Sequence, residues 1–288
     1  MTGRAPGVPS IQQPNAASRD APTAAYFWGC EMKGFKACAL AFAWAAVCSS
    51  PAFATVIFHN TGTTSGWDSI NQEHDGTVAQ VTSPVFKGST AVRVTQVYDP
   101  SYTGRYHSEV VKNNVYRPGD QGFYGFAFYL PSNWQFVSQT YNLAQFIADF
   151  GNTGCDDYMP TTMLWLSGTN LSTRAKSGTP CAQSTQTFSN FASVTAGQWH
   201  RIEIQASWQS SASGFLKVWY DGTKKLEQYN IATTVADSQN RAFQFRVGIY
   251  ANGWHDQGMM VGTQGTRTIH FDQIGAGTVF ADADPSGW

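Results

Sequence analysis

The sequence is short of cysteine, of charge and of long apolar runs, and each shortage excludes a class of protein. Five cysteines occur in 288 residues, and three of them lie at positions 30, 38 and 48. That leaves Cys155 and Cys181 for everything downstream, too few for a disulfide scaffold or a four-ligand zinc site. Charged residues make up only 13% and the formal net charge is −1. No basic field exists for nucleic acid, and an acidic ligand has to be held by local charges in a cleft. No stretch reaches the roughly 18 to 20 apolar residues of a membrane-spanning helix. Helical periodicity is nearly missing, and no fixed-period repeat points to a propeller or solenoid. Aromatic residues, by contrast, reach 14%, with ten Trp and twelve Tyr. Rings in that number fill ordinary cores and also suit stacking on sugars.

Three segments are expected. Residues 1–31 mix Pro, Gly, Ala, Gln and Ser without periodicity and read as a disordered extension. Residues 32–54 read as a secretory signal: Lys33 and Lys36, an apolar run from Ala37 to Val47, then Ala52-Phe53-Ala54, with cleavage after Ala54. Residues 55–288 are long enough for one all-β domain. Export makes a Cys155–Cys181 disulfide the natural reading, worth about 3 kcal/mol through loop closure. The sequon Asn170-Leu171-Ser172 falls inside that loop.

Beyond Thr55 the chain reads as ten or more short strands separated by turn chemistry, with a hairpin at Tyr220-Asp221-Gly222-Thr223. Two packed antiparallel sheets follow, a jelly-roll or concanavalin-like sandwich with a concave, wet face for a substrate cleft. Period-2 alternation shows which side chains share a face. Arg105, His107 and Glu109 project together, and three ionisable groups do not line a core. Gln145 and Asp149 oppose Ala144, Phe146 and Ala148. In the segment 243–251, Phe243, Phe245, Val247, Ile249 and Ala251 point inward, which leaves Gln244, Arg246, Gly248 and Tyr250 on the polar face.

The segments Arg105-Tyr106-His107-Ser108-Glu109, Tyr124 to Pro131, Gln145-Phe146-Ile147 and Tyr250-Ala251-Asn252-Gly253-Trp254 resemble the β-jelly-roll polysaccharide lyases. The resemblance is greatest to the fungal glucuronan lyases of polysaccharide lyase family 20, and it spans about Thr55 to Trp288. It implies a secreted enzyme that cleaves an acidic polysaccharide by β-elimination, with His107, Gln145 and Tyr250 as catalytic positions. Jelly-roll alginate lyases are a looser match. Ile147 stands where they carry a His, and Asn252-Gly253 replaces their Lys-Ala-Gly, so glucuronan is expected over alginate.

The chemistry explains the residue types. The C5 proton of a uronate becomes removable once the neighbouring carboxylate is neutralised by amide, guanidinium or imidazolium donors. Gln145 and Arg105 or Arg246 are the candidates, with His107 as neutraliser or base. In glucuronan the C5 proton and the C4 oxygen leave from one side of the ring, so Tyr250 is expected to serve as both base and acid. Its pKa, ordinarily near 10, would then have to be lowered by Arg246 and His107. Glu109, Arg246, Asn252 and Trp254 are expected to contact the sugar chain. No cofactor is needed for this chemistry. The resemblance also implies a structural calcium near the paired chain ends, with Asp272 as its side-chain ligand and Asp156-Asp157 as a second option. The expected molecule is a monomer with no nucleic-acid or membrane partner.

Two other functions fit parts of the pattern. A glycoside hydrolase would need two carboxylates across a cleft, for which Glu109 and Glu203 are available. A carbohydrate-binding module would use the aromatics without catalysis.

Overall fold

The computed structural model describes residues 54–287, so the extension 1–31 and all but the last residue of the signal at 32–54 lie outside the described residues. Chain order begins with β1 Val56–Asn60, β2 Ser69–Gln72, β3 Thr77–Val81, β4 Ala91–Val97 and β5 His107–Tyr116. Then come β6 Gln121–Tyr129, β7 Thr140–Asp149, β8 Tyr158–Ser167, β9 Asn170–Thr179 and β10 Ala182–Ser193. The last are β11 Trp199–Ser207, β12 Gly214–Tyr220, β13 Thr223–Ile231, β14 Phe243–Tyr250 and β15 Thr266–Gly277, with a short helix α1 Asn252–Asp256 after β14.

These strands form two sheets in which the neighbours pair antiparallel, the sandwich that the alternation pattern implies. One runs β10-β9-β8-β7-β14-β5-β2. The other runs β13-β12-β11-β6-β15-β4-β3, with β1 added to β15. The inward positions of β14 are those expected from sequence: Phe243, Phe245, Val247 and Ile249 are all buried. Phe245 lies 5.1 Å from Phe146 of the same sheet and 5.6 Å from Tyr124 of the facing one. Phe126 meets Phe271 at 5.7 Å. Each such ring contributes roughly 1.5–3 kcal/mol by leaving water.

Strands β2, β3, β9 and β10 escape the sequence reading because Ser, Thr, Asn and Gln occupy many of the positions where alternation would otherwise show. Their pairing is supplied largely by neighbours, and the face that β9 does bury is small or polar apart from Leu171: Ser172, Thr173 and Ala175. On β10 the register shifts between Phe188 and Ala192. Asn190 sits at that irregularity with φ 57°, a left-handed conformation that Asn tolerates better than most residues.

Cys155 and Cys181 are joined, as expected. The bond ties the loop before β8 to the turn between β9 and β10. Replacing both by Ser should lower stability by about 3 kcal/mol through the freed loop. The measurement is the denaturant midpoint of the double variant, and an unchanged midpoint would mean the loop is held by its hydrogen bonds alone.

Candidate active site

Three neighbouring strands of the seven-stranded sheet build the site, and their registers decide which side chains meet. Tyr250 of β14 stands directly opposite His107 of β5. Arg246 stands opposite Gln145 of β7. Between them Gly248 stands opposite Glu109. A Cβ at Gly248 would lie 2.2 Å from the Ser108 carbonyl oxygen and 2.6 Å from Glu109 Cα. Glycine therefore makes the room in which the Glu109 side chain sits.

The side chains line a cleft of about 680 Å³. Gln145 Nε2 donates to Glu109 Oε1 at 2.5 Å, and Arg246 Nη1 lies 3.8 Å from Glu109 Oε2. The carboxylate is buried, which raises its pKa, while Arg246 and Gln145 act in the opposite sense. Glu109 thus lies beneath the cleft and orients an amide and a guanidinium toward it. This corrects the expectation that Glu109 contacts the sugar chain.

His107 packs its ring edge-on against Tyr250, with centroids 3.8 Å apart. Its Nδ1 lies 3.4 Å from Glu73 Oε1, which favours the proton on that nitrogen, and Nε2 has no hydrogen-bond partner. Burial holds the imidazole pKa down to about 4, with the Arg246 and Arg105 charges adding to it and Glu73 opposing. His107 is therefore neutral at ordinary pH. The Tyr250 hydroxyl accepts a hydrogen bond from Arg105 Nη1. Arg105 is in turn held by Asp256 of α1 at 3.5 Å. Burial nevertheless pushes the phenol up to about 12, and Arg105 offsets only part of this. The expected lowering by Arg246 and His107 does not occur: the touching cation is Arg105, and desolvation outweighs it.

Asn252 lines the cleft with an unpartnered Oδ1. Trp254, expected to contact sugar, is instead a core residue packed on Tyr106 at 5.1 Å and Tyr98 at 5.5 Å. Sequence reading also missed a wall of the cleft. Arg174 and Lys176 project from β9, and Tyr158 stands half-exposed with Arg246 Cζ 5.1 Å from its ring centroid. Burial and the nearby Arg174 bring Lys176 down to about 8. The i, i+2 spacing of Arg174 and Lys176 was a visible sign, hidden by the polar composition of β9.

Glu203 does not share this cleft. It lies on β11 of the other sheet, buried, and burial with the nearby Asp284 pushes its pKa to about 8. A Glu109/Glu203 pair flanking one bond is thereby overturned. Asp272 is buried on β15, where its carboxylate accepts from the backbone N–H groups of Phe86, Lys87 and Gln273 at 2.7–3.1 Å.

Comparison with known proteins places this geometry. A family model described as polysaccharide lyase matches residues 59–275. The crystal structure of the endo-beta-1,4-glucuronan lyase from the fungus Trichoderma reesei is 48% identical, with TM-score 0.79, covering 81% of this chain and 100% of that one. Alginate lyases from Chlorella virus and from Aplysia kurodai share only 12% identity each. Their TM-scores are 0.53 and 0.51, over 78% of this chain and 100% of theirs, so their likeness is one of fold. No protein in the curated set matches.

Because Gly248 leaves no space for a methyl group, Gly248→Ala should displace Glu109 and cost about 1–3 kcal/mol by overpacking. Equilibrium unfolding of the variant checks this, and a wild-type midpoint would show that the strands part without cost.

Proposed function

Starting from the fact that the chain belongs to the polysaccharide lyase family, we propose that it cleaves β-1,4-linked polyglucuronate by β-elimination, leaving an unsaturated uronate end. The 48% identity with the Trichoderma reesei endo-beta-1,4-glucuronan lyase over that protein's whole length carries the choice of substrate. The site supports the chemistry.

In the proposed reaction the substrate carboxylate lies against the second N–H of Gln145 and the guanidinium of Arg246, both oriented by Glu109. Neutralising it acidifies the C5 proton. The resting protonation states then divide the labour. With a phenol near 12, ionising Tyr250 at pH 7 costs about five pK units, or about 7 kcal/mol. His107 already holds its basic form, and the step requires its buried, unpartnered Nε2 to turn toward the cleft. His107 takes the C5 proton, the C5–H electron pair becomes the C4–C5 double bond, and the C4–O bond breaks. Tyr250 gives its proton to the departing oxygen. The imidazolium, packed against the phenolate, then returns a proton to it. Both groups stand side by side, so both transfers occur on one side of the ring, as glucuronan requires.

Export, with cleavage after Ala54, is the companion reading. It is supported by a disulfide that persists in oxidising compartments. A monomer is favoured because, apart from the adjacent Val56 and Ile57 of β1, the exposed large apolar residues Ile70, Tyr158, Tyr229 and Met259 lie on separate elements.

A structural calcium near Asp272 is also proposed. Among the described residues no group of three or more His, Cys, Asp and Glu could hold a metal, so amide and carbonyl oxygens must supply most donors. The residues fit a hard cation in one respect: the buried Asp272 carboxylate has no cationic side chain paired to it, and the Gln273 amide beside it supplies a further oxygen. Such an ion would stabilise the β15 end and take no part in elimination. Chelation should lower the melting temperature and added calcium should restore it. Asp272→Asn should abolish the response, and indifference to chelator would remove calcium from the account.

The decisive assay follows ultraviolet absorbance of unsaturated uronate on glucuronan, alginate and a neutral β-glucan. A rise is expected on glucuronan, whereas reducing ends released without absorbance would mean hydrolysis. Tyr250→Phe and His107→Ala should each lose roughly 10²–10⁴-fold. On an oligouronate carrying a leaving group that needs no protonation, Tyr250→Phe should recover turnover and His107→Ala should not. Failure of Tyr250→Phe on that substrate would assign both proton transfers to Tyr250.

A further inference from the structure

A second polar groove lies on the outer face of the other sheet, away from the cleft. The register aligns Arg93 of β4 with His270 of β15, His270 with Tyr129 of β6, and Tyr129 with Trp199 of β11. Directly opposed residues share a face, so these four side chains form one row across four strands. At the usual strand spacing the row is about 14 Å long. Their chain neighbours Val92, Val94, Ile269, Phe271 and Phe128 point into the core, which puts the row on the outside. Tyr129 lies 5.6 Å from Trp199 and 5.8 Å from His270, and both Tyr129 and Trp199 are half-buried. A groove of about 490 Å³ opens beside the Arg93 end of the row, lined also by Thr95, Asn133, Gln264 and Thr268.

Two features at this end have no structural employment. Among the described residues, every other arginine side chain makes a hydrogen bond or ion pair, whereas Arg93 makes neither. His270 is 94% buried, on the basis of its 6% exposure, yet its Nδ1 has no partner. No carboxylate lines the groove, so the free guanidinium faces only neutral polar groups.

We propose that this row is a second binding site for acidic polysaccharide, in which Arg93 pairs a uronate carboxylate, His270 bonds a hydroxyl, and Tyr129 and Trp199 carry sugar rings. The inference rests on the reading of the cleft as a polyuronate site for the identity of the ligand. Burial and the Arg93 charge hold His270 down to about 4, so the imidazole is neutral and can hydrogen-bond a hydroxyl without competing for the carboxylate. A chain held on one face while another stretch enters the cleft raises the local substrate concentration.

The test uses the full chain in the Tyr250→Phe background, where turnover is removed, in gels containing glucuronan or a neutral β-glucan. A short oligoglucuronate is added to fill the cleft. Arg93→Ala combined with Trp199→Ala should weaken retention by glucuronan roughly tenfold. Arg93→Glu alone should weaken it further by repulsion, and thermal melting checks that both variants fold. In the active enzyme the same substitutions should lower kcat/KM on long glucuronan several-fold and leave it unchanged on an oligosaccharide that fills only the cleft. Equal retention of parent and variants overturns the proposal, as does an equal loss of retention in the neutral gel. A parent enzyme that yields no unsaturated uronate would instead overturn the reading of the cleft, while the gel still reports on the outer face.

Discussion

The site depends on a buried carboxylate. Glu109 is 1% exposed, and its nearest cation, on Arg246, lies 3.8 Å away. A charge so placed is tolerated only when its hydrogen bonds are met, and its Oε2 has only the Arg246 guanidinium at ion-pair distance. The arrangement survives because Gly248 admits the side chain, Gln145 donates to it, and the paired strands prevent either from moving. Stability is given up here to fix the direction of an amide and a guanidinium. In the proposed reaction a substrate carboxylate then meets donors that need no reorganisation, the condition under which electrostatic stabilisation is largest.

Much of this was legible in the sequence because two periods coincide. The alternation of Phe243, Phe245, Val247 and Ile249 is both the core pattern and the ruler that sets Arg246 and Tyr250 outward. The clustering of Arg105, His107 and Glu109 could be read the same way. Burial depth could not. Nothing in the local sequence distinguishes Trp254, sealed against Tyr106 and Tyr98, from an aromatic waiting for sugar. Likewise, alternation put Tyr250 near cations but gave no measure of desolvation, and desolvation decides the proton's position. The β9 wall was hidden for another reason. Its strand is stabilised by its neighbours, so its own sequence carries little hydrophobic signal.

The two sheets treat their acids differently, and that contrast separates elimination from hydrolysis. Glu109 and Glu203 both lie within strands and both are desolvated. A hydrolase would need them on either side of one bond. Here one belongs to the cleft sheet and the other to the opposite sheet, where it is coupled to Asp284 and Arg201 near the chain's end. The groups that do share the cleft are an amide, guanidinium groups, an imidazole and a phenol. That set neutralises a carboxylate and moves protons. Of the carboxylates that also line the cleft, Glu73 lies 3.4 Å from His107 and Asp256 3.5 Å from Arg105, so these acids hold the imidazole and a guanidinium in place.

The irregular, polar strand β10 has a further consequence. It ends the cleft sheet, and a sheet's last strand leaves N–H and C=O groups that a second molecule can extend into a fibre. The left-handed turn at Asn190 breaks the run of such groups, its neighbours Phe188 and Phe191 pack against the core, and Ser, Thr and Gln make up most of the rest of the strand. The cleft sheet therefore ends in a strand that offers a second chain only a broken row of backbone groups to extend.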